Sequence, residues 1–298
     1  MCLVFSFAAC GGGGGGSASG DDPAGGGNGG NGGNGGGSGE PAIPVSDNYL
    51  CFTANENNCS ISTTIHYSLI ITPSLEYSTD KENWDPFIIN DTSVPLTNAG
   101  DKVYIRATSS NASFSGNVGW ISFVISGLVS ASGNIMSLLD KNCGGTSVPD
   151  RAFRYLFDHA TLTTAPELPA TNLAEECYQG MFTCCSSLVT APELPATNLA
   201  DRCYFEMFRN CFSLTTAPTL LATDLGLVYG CYFSMFAGCS NLSSITVHFS
   251  NWNDYYTSGW VEGVADSGEF HCPGALPDEV DDTFNSKKPK GWTKVPLP

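Results

Sequence analysis

Between Pro41 and about Gly127, apolar and polar residues fall into short runs: "YLCFTA", "TTIHYSLIIT", "SLEYST", "KVYIRATS" and "VGWISFVIS". Val, Ile, Tyr, Phe and Thr dominate them, and the clusters "TANENN", "STDKENWDP" and "TNAGD" lie between, as expected of strands joined by turns. Lys102, Val103, Tyr104, Ile105 and Arg106 alternate strictly, which suits a strand with one buried face. This pattern predicts a small β-sandwich over residues 41–133.

From about residue 150 the pattern changes to a repeat. "TAPELPATNLA" occupies 164–174 and returns unchanged at 190–200, and "TAPTLLATDLG" follows at 216–226. The leucines opening the units are Leu162, Leu188, Leu214 and Leu242, at spacings of 26, 26 and 28. Each unit begins with an extended run such as Leu188–Pro192. Its second half carries an apolar stripe: Leu199, Cys203 and Met207 recur at i, i+4 and i+8, with Tyr204 and Phe208 beside them. That stripe predicts a helix, with Asn198 as its N-cap. A half-unit, "PDRAFRYLF", comes first and aligns Phe153 and Phe157 with Tyr178 and Phe182. A strand plus a helix every ~20–29 residues is the leucine-rich-repeat pattern, in which each unit buries its apolar face only against its neighbours. The fold class expected is therefore mixed α/β: an all-β sandwich-like module, then a short strand-plus-helix solenoid over 134–250 and a C-terminal cap and tail over 251–298.

"LTTAPELPATNLAEECYQGMF" followed by "CSSL" closely resembles the repeats of BspA-like leucine-rich-repeat proteins of bacterial surfaces. The resemblance covers about residues 150–250, and the flanking "SGNIMSLL" and "FHCPGALPD" resemble segments bordering such repeats. It implies a non-enzymatic adhesion or recognition protein.

The start of the chain changes the picture of where it works. "MCLVFSFAAC" reads as the end of a signal peptide, and Phe7–Cys10 resembles a bacterial lipobox, so residues 1–10 are expected to be a signal remnant with Cys10 lipidated. Residues 11–40 are mostly Gly with Asn and Ser and are expected to be a flexible linker with a reach of roughly 30 Å. The chain is thus expected to be exported and lipid-anchored at the outer membrane or cell surface. Acids outnumber bases 29 to 12, for a net charge of −17, which argues against nucleic acid as a partner and against charge-driven binding to anionic lipid. No apolar run reaches the roughly 18–20 residues of a spanning helix.

Thirteen cysteines raise the question of metals and disulfides. Six stand in register: Cys177, Cys203 and Cys231, then Cys185, Cys211 and Cys239. On helices the two in one unit would lie about 12 Å apart, too far to share a metal. Packed helices would hold neighbouring units about 8–10 Å apart, beyond disulfide reach. Ala152 and Ala160 fill these positions in the half-unit, so small apolar packing is the expected role. Cys184 falls outside the register. Cys51 and Cys59 could bridge a hairpin in an oxidising compartment.

Candidate chemistry is sparse. His66, His159, His248 and His271 form no i, i+4 pair, and neither a nucleophile elbow nor a P-loop occurs. Ser78–Trp84 resembles a degraded Asp-box, read as a turn device, although a carbohydrate-active site involving Asp80 and Trp84 is a minor alternative. Asp278, Glu279, Asp281 and Asp282 do not match a calcium loop and read as a solvated acidic segment. No catalytic residue, cofactor or metal is expected. The expected function is recognition of a host extracellular protein or glycan, or of another bacterial surface. The binding face predicted from strand alternation comprises Thr163, Ala165, Glu167, Val189, Ala191, Glu193, Thr215, Ala217 and Thr219. The alternative is a structural spacer or accessory part of a surface assembly or phage virion, with no ligand of its own.

Overall fold

The computed structural model describes residues 47–67, 73–111, 114–226, 228–281 and 283–298. The expected signal remnant with Cys10, the Gly-rich linker and Asp282 lie outside them. Eight strands come first: β1 (Leu50–Ala54), β2 (Cys59–His66), β3 (Leu75–Ser78), β4 (Asp85–Phe87), β5 (Ser93–Leu96), β6 (Lys102–Ala107), β7 (Trp120–Ser126) and β8 (Val129–Ser132). They form two antiparallel sheets, ordered β4–β3–β6–β1–β8 and β5–β2–β7. Alternation explains the faces. In β6, Val103, Ile105 and Ala107 are buried while Tyr104 and Arg106 are only partly covered. The sheets meet through Phe52 of β1 and Phe123 of β7, with ring centroids 5.1 Å apart. Cys51 and Cys59 are both buried and are not bridged to each other: the Cys59 thiol donates to the Leu128 carbonyl at 3.5 Å.

β8 joins this part to the repeats. One edge pairs antiparallel with β1, and Val129 forms a parallel bridge with Leu162, the leucine that opens the first unit. Leu162, Leu188, Leu214 and Leu242 are all fully buried. Further bridges join Thr164 to Thr190 and Thr216 to Ser244. They remain isolated because Pro166, Pro192 and Pro218 follow closely and offer no N–H to extend a ladder. Past residue 250 the parallel pairing becomes continuous. β9 (Ser244–Thr246), β10 (Glu269–Cys272) and β11 (Thr293–Pro296) form a parallel three-stranded sheet, so the segment expected as a cap and tail supplies two of its strands.

The expected strand-plus-helix solenoid, and with it the mixed α/β class, is overturned. None of the described residues between 150 and 250 is helical, and Asn198 caps nothing. The described helices are a 3₁₀ turn at Ile135–Leu138 and α1 (Asp254–Thr257). In place of a helix, each second half is a run of consecutive turns with a left-handed residue at every fourth position. Glu176, Gly180 and Cys184 have φ of 55°, 59° and 59°, and Arg202, Glu206 and Asn210 have 52°, 53° and 60°. Backbone donors alternate in their use. Gln179, Met181 and Thr183 donate three residues back within their own run, at 3.0–3.2 Å. Tyr178, Gly180 and Phe182 donate to Cys203, Phe205 and Met207 of the next run, at 2.8–3.0 Å. The backbone donors of the run are thereby used without a helix.

A four-residue turn repeat explains the stripe. It returns side chains to one face every 4 residues, and over nine positions that is indistinguishable from the 3.6 of a helix. Two aromatic columns result. Phe123, Phe157, Phe182, Phe208 and Phe236 follow one another at 5.5–5.8 Å between centroids. Phe153, Tyr178, Tyr204 and Tyr232 do so at 5.9–6.1 Å. The first column begins in β7, so the antiparallel sheets and the layers share one core, and the buried residues from Leu50 to Trp292 form a single cluster.

The in-register cysteines belong to this core with a polar duty added. The thiols of Cys185, Cys211 and Cys239 donate to the carbonyls of Phe157, Phe182 and Phe208 in the preceding layers, at 3.0–3.1 Å. Opposite them, Glu176 is clamped by Arg151, Arg154 and Arg202 at 2.9–3.2 Å, tying three layers together. Burial alone would raise its pKa. The hydrogen bonds and charges of the three guanidinium groups outweigh this and hold the carboxyl below its ordinary value.

Candidate functional site

The edge of the layers opposite the turn runs carries the predicted face. Proline spacing shapes it. Pro166 and Pro169 of one layer and Pro192 and Pro195 of the next line a groove of about 210 Å³ together with Ala165, Leu168, Glu167 and Glu193. Glu167 and Glu193 are exposed and occupy equivalent places in the repeat. Carboxylates and prolines line the groove together, a combination suited to a ligand that is apolar in its body and cationic at its tip.

The nine predicted positions do not behave alike. Val189 (51% accessible), Glu193 and Thr215 are exposed, while Ala191 and Thr219 are half-covered. Thr163, Ala165 and Glu167 sit beside the first module. Asn55 Nδ2 donates to Thr163 Oγ1 at 2.9 Å, and Asn48 Nδ2 donates to Glu167 Oε2 at 2.8 Å. Ala217 is buried, because its amide pairs with the Ser244 carbonyl at 2.9 Å and draws the next layer across it. The prolines that form the groove were not among the predicted residues. Their signal was in the sequence, since the "AP" and "LP" pairs recur at fixed places in the repeat.

Other residues singled out in the sequence serve structure. Asp80 is the hub of its turn: its Oδ1 accepts from the Glu82 and Asn83 amides at 2.8 Å each, and its Oδ2 from Asn83 Nδ2 at 2.8 Å. The backbone and side-chain hydrogen bonds of Asn83, then the Glu82 amide, hold its carboxyl far below the usual range. A carboxylate so held is unsuited to donating a proton. Trp84 lies under Arg106, 3.6 Å from its ring centroid. His66 stacks on Trp120 at 5.0 Å and shares a hydrogen bond with Ser122 Oγ at 2.8 Å. The C-terminal acidic segment is more than solvated: Asp278 pairs with Lys288 at 3.5 Å and Glu279 with Lys287 at 3.7 Å. Asp281 caps the Thr283 amide at 2.8 Å.

A larger open hollow of about 370 Å³ lies between Pro73–Leu75 and Pro86–Ile89, with an apolar lining apart from Ser74 and Thr108. It contains no titratable side chain, so the smaller groove with its two carboxylates has more to recognise with. The one group of three metal-ligating side chains with close donor atoms among the described residues, Asp158, His159 and Cys184, lines neither of them. No described helix is long and apolar enough to cross a membrane. Comparison with protein families, curated proteins and solved structures finds no match.

Proposed function

We propose that this chain is a non-enzymatic recognition protein displayed at a cell surface, and that the proline-lined groove with Glu167 and Glu193 is where it meets its partner. The observation that carries the reading is the recurrence of one exposed carboxylate beside two prolines along the same groove in successive layers. A repeated site favours a partner that repeats cationic and apolar groups at matching intervals, such as a basic extracellular protein segment. The resemblance of the repeats to BspA-like surface proteins and the lipobox-like start of the chain support display at a bacterial surface.

Glu167→Lys with Glu193→Lys reverses the charge of the groove while leaving the core untouched. Binding of the full chain to an array of extracellular matrix proteins and glycans is expected to fall more than tenfold in this variant. Equal binding by both forms would remove the groove from the account. Protease treatment of intact cells tests display, since a surface protein is cleaved and a periplasmic one survives. The continuous aromatic columns also favour a second reading, a rigid spacer without a ligand of its own. That reading predicts no array partner for the wild-type chain.

A further inference from the structure

His159 and Cys184 occupy equivalent places in successive layers, each ending a cycle of turns with φ of 61° and 59°. The His159 amide donates to the Thr183 carbonyl at 2.9 Å, and the Cys184 amide donates to the Arg209 carbonyl at 2.8 Å. Both backbones are therefore held by the layer that follows. Asp158 precedes His159. A carboxylate oxygen of Asp158, a ring nitrogen of His159 and the sulfur of Cys184 all lie within 4.8 Å of one another. Asp158 Oδ1 stands 3.7 Å from His159 Nε2.

Two features separate this cluster from a chance meeting of polar side chains. First, Asp158 Oδ1 is buried and accepts no hydrogen bond, a costly state for a carboxylate oxygen. A cation held there would satisfy the oxygen. Second, the cluster is reachable: the His159 side chain is 56% exposed, whereas the six in-register thiols are sealed in the core.

The donor set selects the ion. Carboxylate, imidazole and thiolate together suit a borderline-soft metal and are poor ligands for Ca²⁺ or Mg²⁺. Zinc bonds of about 2.0–2.3 Å in a tetrahedron place ligand atoms roughly 3.3–3.8 Å apart. For nitrogen and oxygen donors, with bonds of about 2.0–2.1 Å, the separation is about 3.3–3.4 Å, so the Asp158–His159 pair at 3.7 Å and the sulfur within 4.8 Å close onto an ion by small side-chain rotations. Asn210 Nδ2, 3.7 Å from Cys184 Sγ, is placed to donate to the sulfur from outside.

We propose that Asp158, His159 and Cys184 form a zinc site with one coordination position left open to solvent. Binding would release the Cys184 thiol proton to water, leaving thiolate, neutral imidazole and carboxylate on the ion.

Titration of the full chain with Co²⁺, under reducing conditions, is the direct test. The expected result is a sulfur-to-cobalt charge-transfer band with tetrahedral d–d bands, saturating at one equivalent and displaced by Zn²⁺. Cys184→Ser should abolish the charge-transfer band, and His159→Ala should weaken Zn²⁺ binding more than tenfold, both with unchanged circular dichroism. Should Cys184→Ser fail to fold, Asp158→Asn and His159→Ala decide the question through the same bands. A charge-transfer band that survives Cys184→Ser comes from other thiols and overturns the site. So does zinc affinity unaltered by His159→Ala, or the lack of any such band in the wild-type chain.

Discussion

The Tyr155 ring occupies the space that a Cβ on Gly180 would need, with Cε1 and Cδ1 as the nearest atoms. The two residues hold the same place in adjacent layers, and both have positive φ, 56° and 59°. The Tyr155 ring therefore fits in its place only because Gly180 has no side chain.

Gly180→Ala should destabilise the protein by about 2–3 kcal/mol. Left-handed backbone at a non-glycine residue accounts for roughly 1–2 kcal/mol, and displacement of the Tyr155 ring from Trp120 for the rest. In a Tyr155→Ala background the same change should cost only the backbone's share of about 1–2 kcal/mol, because the collision is gone. Denaturant unfolding of the four proteins measures this. Additive effects would show that the ring does not contact Gly180.

The phenol oxygens of Tyr178 and Tyr204 are buried without a hydrogen-bond partner. Tyr204→Phe keeps the ring in its column and removes an unsatisfied polar group, so stability should hold or rise by up to about 1 kcal/mol. Tyr204→Ala should cost about 3–5 kcal/mol by opening a cavity between two layers. A marked loss in the Phe variant would mean that the hydroxyl has a partner.

Glu176 makes stability depend on acid. Its folded pKa lies below the ordinary 4.5, so its contribution is present in full above 4.5 and is lost as pH falls through the folded value. At neutral pH Glu176→Gln should lower stability by about 3 kcal/mol, since Arg154 and Arg202 lose their carboxylate partner and Arg151 keeps only Glu175. Thermal melts from pH 7 to 3 should show wild type and variant converging as the pH drops. A constant difference across that range would separate Glu176 from the acid response.

Burial pushes the thiols of Cys177, Cys231 and Cys239 up to about 12, and it also holds those of Cys185, Cys203 and Cys211 well above their ordinary value. Native protein exposed to a thiol reagent near pH 8 should leave all six unmodified until it unfolds, as peptide mass spectrometry can follow. Cys211→Ala, which removes a thiol donor to the Phe182 carbonyl, should cost about 1 kcal/mol. Rapid native labelling at any of the six would contradict the sealed core.

Reversing the groove's charge with Glu167→Lys and Glu193→Lys should leave the melting temperature within about 2 °C of wild type, because both side chains are exposed. Calorimetry compared with array binding then separates a binding defect from a folding defect.

Strands were legible where one face is buried and alternation is strict. Four of the five apolar runs before residue 127 contain a strand, and β2 ends within the fifth, "TTIHYSLIIT", whose residues 68–72 lie outside the described ones. β4 and β5 were missed, and the reason lies in Pro86 and Pro95. Proline weakens a strand signal and is tolerated at a sheet edge, where both strands lie. The groove was legible only in part. Alternation found Glu167 and Glu193, but the walls are prolines whose role depends on two layers meeting.

Local order by itself determined that residues 162–242 repeat, that the opening leucines and the in-register cysteines are inside, and which aromatic follows which. Whether each second half coils into a helix or runs as turns was decided by tertiary structure alone. A period of 4 and a period of 3.6 place the same side chains inward over nine residues. What separates them is where the alternate amides find acceptors. Here those acceptors are carbonyls about 25 residues away in the next layer, a partner that no window of local sequence contains.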